Sequence, residues 1–144
     1  MIRQAKREDL ERIAEIEVFN YRLYFYPIFR TDNFFFDELR VSERIRHYEE
    51  ELPNLWVYDD GVVKGFFHMA GREVRKLFVE PVFHSAGIGG ALLDYAVTRL
   101  CADELWALQK NLRAISFYAR HGFHPTGEKR PEEDTAEYLI RLIR

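Results

Sequence analysis

Residues 77–93 read LFVEPVFHSAGIGGALL: an apolar run enters a loop, three glycines follow within four positions, and apolar residues resume at helical spacing. The chemistry such an arrangement can do is anion binding. The first turn of a helix carries backbone N–H groups without partners and a partial positive charge, so it attracts phosphate. Glycines there let a ligand approach the backbone closely. Taken alone, the segment also allows a simple tight turn. It does not allow a dinucleotide fingerprint, because Gly-x-Gly-x-x-Gly would need glycine where Leu92 stands.

Other side chains with chemical potential are few. The lone cysteine, Cys101, excludes an internal disulfide and a cysteine zinc cluster. It follows Leu92, Leu93, Ala96, Val97 and Leu100 at helical spacing, which predicts a buried structural thiol. The five histidines, His47, His68, His84, His121 and His124, show no metal-ligand spacing, and no metal is expected. A net charge of −3 speaks against a nucleic-acid partner, which would demand a basic excess. The N-terminus has no apolar leader, and no apolar run approaches the roughly 18 residues of a spanning helix. A cytoplasmic protein without membrane contact is expected.

These residues need elements to hold them. Met1 to Gln4 reads as a strand, and the apolar spacing of Leu10, Ile13, Ala14, Glu17 and Val18 predicts a helix over about 7–19, broken at Pro27. Residues 37–51 form a polar second helix with Leu39, Ile45 and Tyr48 as its buried points. Strands are expected at 55–58, 62–69 and 74–79, with Asp59-Asp60-Gly61 as a hairpin turn. Pro81 ends the third of these strands. A helix over 87–101, a strand over 105–108, a helix over 111–120, a strand from Phe123 and a closing strand over 138–143 complete the order. Gly127 to Asp134, with Pro131, reads as a loop. The 144 residues suit one domain, an α+β fold with a mixed, mostly antiparallel sheet flanked by helices.

Three stretches in this order resemble the GNAT superfamily of N-acetyltransferases. The segment His84-Ser85-Ala86-Gly87-Ile88-Gly89 is similar to the family's pyrophosphate loop, Gln/Arg-x-x-Gly-x-Gly/Ala. Trp106-x-Leu108, then Asn111-x-x-Ala114-x-x-Phe117-Tyr118-x-x-x-Gly122-Phe123, resembles the second cofactor motif. Ile2-Arg3-x-Ala5-x-x-x-Asp9 resembles the usual first strand and helix entry. The resemblance spans the chain and departs from the pattern at one place: His84 stands where Gln or Arg is usual. A neutral imidazole offers one N–H donor without Arg's fixed charge, which makes coenzyme affinity an expected function of pH.

The resemblance implies acetyl-CoA as co-substrate and transfer of its acetyl group to a primary amine. It implies that Leu77, Phe78 and Val79 pair with the pantetheine arm as an added strand. Amides from Ser85 and Ala86 through Gly87, Ile88, Gly89 and Gly90 to Ala91 would hold the pyrophosphate, with Asn111, Ala114 and Phe117 beside the arm. Tyr118 matches the family tyrosine that protonates the departing thiolate, and Glu73 matches a general-base position used by some members; His68 is a second candidate base. Direct attack without an acyl-enzyme follows, since Cys101 lies at the far end of its helix.

The acceptor is expected to be a small-molecule or peptide amine. Nine of the 22 aromatics lie in residues 19–36, FNYRLYFYPIFRTDNFFF, where the family places its acceptor cover. So many rings leave some free to line a site or the interface of a homodimer. With the acidic excess of residues 1–51, they suit a cationic amine with an apolar portion. Tyr24 and Tyr26 are the candidate acceptor residues. The alternatives are a protein or peptide acetyltransferase and, from another class, a non-catalytic acyl-CoA-binding module.

Overall fold

The computed structural model describes residues 1–144. Seven strands form one sheet in the order β1-β2-β3-β4-β5-β7-β6: β1 Ile2–Gln4, β2 Leu55–Asp59, β3 Val63–Ala70, β4 Glu73–Val79, β5 Glu104–Leu108, β6 His124–Pro131 and β7 Tyr138–Ile143. β1 to β4 are an antiparallel meander, β4 and β5 run parallel, and β5, β7 and β6 pair antiparallel. The helices are α1 Leu10–Asn20, α2 Tyr26–Phe29, α3 Val41–Tyr48, α4 Ile88–Leu100 and α5 Leu112–Arg120. The mixed, mostly antiparallel α+β fold expected from the sequence is the one observed.

Strand alternation divides the core into two layers. On β3, Phe66 points to a cluster with Leu10, Ile13, Ile16 and Tyr48 under α1 and α3. Its neighbour Phe67 points the other way, to Leu92, Leu93, Leu105, Phe123 and Leu142 under α4 and α5. A third, small cluster of Val18, Phe35 and Leu39 holds the aromatic crossover against the end of α1.

The structure corrects three expectations. Pro27 does not end the first helical run. A π turn over Tyr21–Phe25, closed by the Tyr26 N–H on the Tyr21 carbonyl, leads directly into α2. Pro27 then sits in a first helical turn, where an amide would lack a partner anyway. Residues 127–131 belong to β6 and are not loop. This exposed edge strand carries no apolar alternation, tolerates Pro125 and Pro131, and is bulged between Pro125 and Lys129 with Gly127 at φ 93°. Cys101 is exposed. It takes the left-handed cap of α4 at φ 58°, which turns it off the apolar face that the preceding residues share.

One buried charge ties α1 to the sheet. Glu17 is fully buried; its Oε1 accepts from Lys76 Nζ of β4 at 2.8 Å and forms an ion pair with Arg44 Nη2 of α3 at 3.0 Å. Removing one member of such a group leaves buried charge uncompensated, at a cost of about 3–5 kcal/mol. Glu17→Ala is therefore expected to lower unfolding free energy by that order. Glu43→Ala, which breaks the exposed pair with Arg46, should cost no more than about 0.5 kcal/mol. Urea denaturation of the two variants measures both; equal midpoints would show that the Glu17 group does not hold α1 in place.

Candidate active site

β4 and β5 pair only at Glu73 with Glu104 and Val74 with Leu105. Beyond that point β5 stays with β7 and β4 stays with β3, so the two parallel strands splay and leave a gap in the sheet. The Glu80 N–H donates to Lys64 across β3. By strand alternation the Phe78 backbone faces β3 too, and the backbone groups of Leu77 and Val79 face the gap. The Val79 carbonyl is doubly occupied there, by Asn20 Nδ2 at 2.9 Å and His84 Nε2 at 2.8 Å. The Leu77 amide and carbonyl and the Val79 amide remain for an extended ligand.

One end of the gap opens into a cavity of about 520 Å³ under the glycine-rich loop. Leu77, Phe78, Val79, His84, Ser85, Gly87, Ile88, Gly89, Gly90, Asn111, Ala114, Phe117 and Tyr118 line it together, as a set drawn from both resembling motifs. Gly87 is the N-cap of α4 at φ 81°, and no side chain caps this helix. The amides of Gly87 to Gly90 thus have no partner within the helix. The Ala91 amide is committed to the Gly87 carbonyl, and neither Ala86 nor Ala91 lines the cavity. A Cβ on Gly87 would meet nothing within 4 Å, so its glycine serves the positive φ. A Cβ on Gly89 would touch the Phe117 ring at 3.4 Å, so that position serves close packing of α4 on α5.

Both ring nitrogens of His84 are engaged within the chain. Its Nε2 meets the Val79 carbonyl, which can only accept, and its Nδ1 meets Arg113 Nη2 at 2.8 Å, which can only donate. The imidazole is thereby the neutral Nε2–H tautomer, with the Tyr24 hydroxyl also 2.9 Å from Nδ1 and the two rings stacked at 5.4 Å. Burial, helped by the Arg113 charge, lowers its pKa from the usual 6.5, against the opposing pull of the Val79 carbonyl and Glu80.

The other end of the gap opens into a second cavity of about 700 Å³. Phe25, Leu77, Phe78, Asn111, Ala114 and Tyr118 line both cavities, so the two meet at these residues. Asn111 caps α5, its Oδ1 accepting from the Ala114 amide at 3.2 Å, which leaves its NH₂ group for a ligand. Burial alone pushes the Tyr118 hydroxyl up to about 12. Glu73 lines the second cavity, at the point where β4 and β5 part. His68 lines neither cavity: it is buried on the face of β3 that packs under α1 and α3, 3.4 Å from Glu51 and edge-on to Tyr48.

The aromatic crossover faces the second cavity through Tyr21, Phe25, Phe29, Phe34 and Phe35. The two tyrosines expected there lie elsewhere. Tyr24 lines the first cavity beside His84, and Tyr26 lines neither, its hydroxyl bonding Asp32. The π turn over Tyr21–Phe25 shifts the helical phase, which decides the side each ring takes. Sequence reading missed Asn20 and Arg113. Asn20 reads as one more polar residue ending a helix, whereas Arg113 lies inside the motif between Asn111 and Ala114 and had a signal in its position.

This arrangement fits a phosphate-bearing thioester with an extended arm: unpaired amides at a helix start, an unpaired strand edge, and a gap that runs through the sheet. It defines an acyl-CoA-dependent transferase. A family model described as an acetyltransferase (GNAT) domain matches residues 51–125. The peptidyl-lysine N-acetyltransferase YiaC of Escherichia coli is 34% identical over 126 residues, 86% of this chain and 83% of that protein. Among solved structures, apo YjaB of Escherichia coli superposes with a TM-score of 0.73 at 23% identity, covering 99% of this chain and 95% of that one. The PaiA N-acetyltransferase of Thermoplasma acidophilum in complex with coenzyme A gives 0.71 at 19% identity, covering 100% and 98%. The chain belongs to the GNAT acetyltransferases. It is an acetyl-CoA-dependent N-acetyltransferase that transfers the acetyl group to an amine, and a non-catalytic binding module is not favoured. No helix is long and apolar enough to cross a membrane.

The His84 geometry reverses the sign of the pH dependence that an imidazolium donor would give. Protonation must place a hydrogen on Nδ1, against Arg113, so the folded chain resists it. Because the folded pKa is lowered, the His84 contribution to stability is complete above about 6.5 and is lost as pH falls through the folded value. Nitrogen-15 NMR should show the Nε2–H tautomer at neutral pH and a midpoint below 6.5. A midpoint above 6.5 would return His84 to the role of cationic donor.

Proposed function

We propose that residues 1–144 act as one catalytic domain, in the cytoplasm, that acetylates the side-chain amine of lysine in a peptide or protein. The observation that carries this reading is the meeting of two cavities at Leu77, Phe78, Asn111, Ala114 and Tyr118. A thioester entering from the loop side and an amine entering from the crossover side reach each other there without an acyl-enzyme. The acceptor side suits a cation. Five carboxylates line it, Glu38, Glu73, Glu132, Glu133 and Asp134, against Arg75, Lys76 and Arg130. Of those cations, Lys76 is paired with Glu17, which it shares with Arg44, and Arg130 lies 4.2 Å from the centre of the Trp106 ring. The curated relatives YiaC and YjaB are named as peptidyl-lysine N-acetyltransferases, which supports the peptide acceptor over a small amine.

Acetyl-CoA supplies an acetyl group activated as a thioester. The Leu77 amide offers a fixed dipole at the carbonyl, where negative charge develops. Glu73 takes the proton that the lysine ammonium must lose before its nitrogen lone pair can attack. Tyr118 holds the proton that the departing sulfur needs as its bond to carbon breaks. A hydroxyl pushed up to about 12 keeps that proton at neutral pH. The same burial that weakens it as an acid raises the basicity of a thiolate formed beside it, so the transfer stays matched.

Two measurements test these roles. Tyr118→Phe keeps the ring and removes the hydroxyl, so turnover should fall by about 10²–10⁴ with coenzyme affinity little changed. Unchanged turnover would make Tyr118 a packing residue. Glu73→Gln should lower turnover by about 10²–10⁴ with coenzyme affinity little changed; turnover equal to the parent's would assign deprotonation to solvent. For the acceptor, lysine peptides with flanking basic residues should surpass ones with flanking acids in kcat/KM, because the cavity wall is acidic. A preference for acidic peptides, or for free small amines over any peptide, would overturn the peptidyl-lysine reading.

A further inference from the structure

Arg113 is a cation without a counter-ion next to the phosphate loop. It stands second in α5, is exposed, and lines the coenzyme-side cavity together with Gly87, Gly89 and Gly90. It joins none of the chain's salt bridges. Its neighbours are uncharged: Nη2 donates to His84 Nδ1 at 2.8 Å, and the guanidinium lies 4.9 Å from the centre of the Tyr24 ring. The Tyr24 ring is itself stacked on His84, so the three side chains form one layered unit at the mouth of the loop.

Two facts make this arrangement purposeful. The position at which the family pattern carries Gln or Arg is His84 here, and both of its ring nitrogens are spent inside the chain. A loop of neutral amides then lacks a fixed charge of its own. Arg113 supplies one from the start of the neighbouring helix, where it bonds the loop residue His84, whereas Arg120 lines the same cavity from the end of that helix; four of the five Arg113 N–H donors lie outside the His84 bond. A guanidinium held over an aromatic face and tied at one nitrogen loses little further freedom when it takes up an anion.

We infer that Arg113 is a phosphate-binding cation of the coenzyme site, and that His84 and Tyr24 are its positioning residues. The ligand chemistry is a phosphate of coenzyme A, either the pyrophosphate or the ribose 3′-phosphate. The inference rests on the acetyl-CoA reading of the first cavity and adds to it a residue and a division of labour.

Isothermal titration of coenzyme A into the parent, Arg113→Ala and Arg113→Lys separates the two. Parent protein that binds coenzyme A upholds the cavity reading independently of Arg113. Arg113→Ala should then weaken binding by about 10–100-fold, as expected for a charge-assisted bond, and should flatten its salt dependence. Arg113→Lys should restore part of both. Dephospho-coenzyme A, which lacks the 3′-phosphate, assigns the partner: a loss that persists places Arg113 on the pyrophosphate, and a loss that disappears places it on the 3′-phosphate. His84→Ala should weaken binding in the parent and change nothing further in Arg113→Ala, because a positioning residue acts only through its partner. Arg113→Ala binding within about twofold of the parent at an unchanged salt slope would overturn the inference. Additive losses in the double variant would confine it to Arg113 alone.

Discussion

The parting of β4 and β5 after two paired residues is the constraint on which the rest of this structure depends. A parallel pair in mid-sheet would ordinarily continue, since unpaired backbone groups away from water are costly. Here each strand is held by its other neighbour: β5 pairs with β7 along its whole length, and β4 pairs with β3 to Val79. The edge left open on β4 is partly closed by the chain itself, because Asn20 and His84 both donate to the Val79 carbonyl. What stays open is the stretch about Leu77 that an extended ligand can complete.

Everything around the gap follows from keeping it open and aimed. The start of α4 lies at one end, with the left-handed Gly87 turning the loop so that the free amides face the cavity. The start of α5 lies beside it, where the Asn111 cap fixes the first turn and sets Ala114, a small residue, at the junction of the two cavities. Phe117 packs against Gly89, so the two helix starts are held at a fixed separation by ring-to-backbone contact. Tyr118 on the next position reaches the junction from the same helix.

The acceptor side is built on a different principle. Its wall is an aromatic crossover whose rings pack edge-to-face on β4 through Tyr21, Phe25 and Phe78. Beneath them Glu17 gathers Lys76 and Arg44, and the Lys76 amine lies 5.7 Å from the Tyr21 ring centre. Burial lowers the Lys76 pKa, while Glu17 opposes that shift. The interaction that anchors the helix therefore also fixes the floor of the cavity.

Most elements and the coenzyme loop are legible in the order of residues, because both depend on local physics. Periodicity placed α4 and the meander strands within one residue and α1 within three, and the glycine spacing at 87–90 marked a phosphate-seeking helix start. Motif order joined that loop to Asn111 and Tyr118 across the intervening strand. Which groups face the gap is settled by packing between distant segments. Pro27 reads as a breaker until the π turn before it is seen, and that same turn sends Tyr24 to the coenzyme side and Tyr26 outside both cavities. His84 reads as a donor until Val79 and Arg113 are found to occupy both its nitrogens. Cys101 and β6 were misjudged for a related reason: a left-handed cap and an edge strand are set by what the neighbouring chain leaves exposed, and hydrophobic pattern carries no record of either. Side-chain direction is a property of packing, whereas element type is largely a property of the local chain.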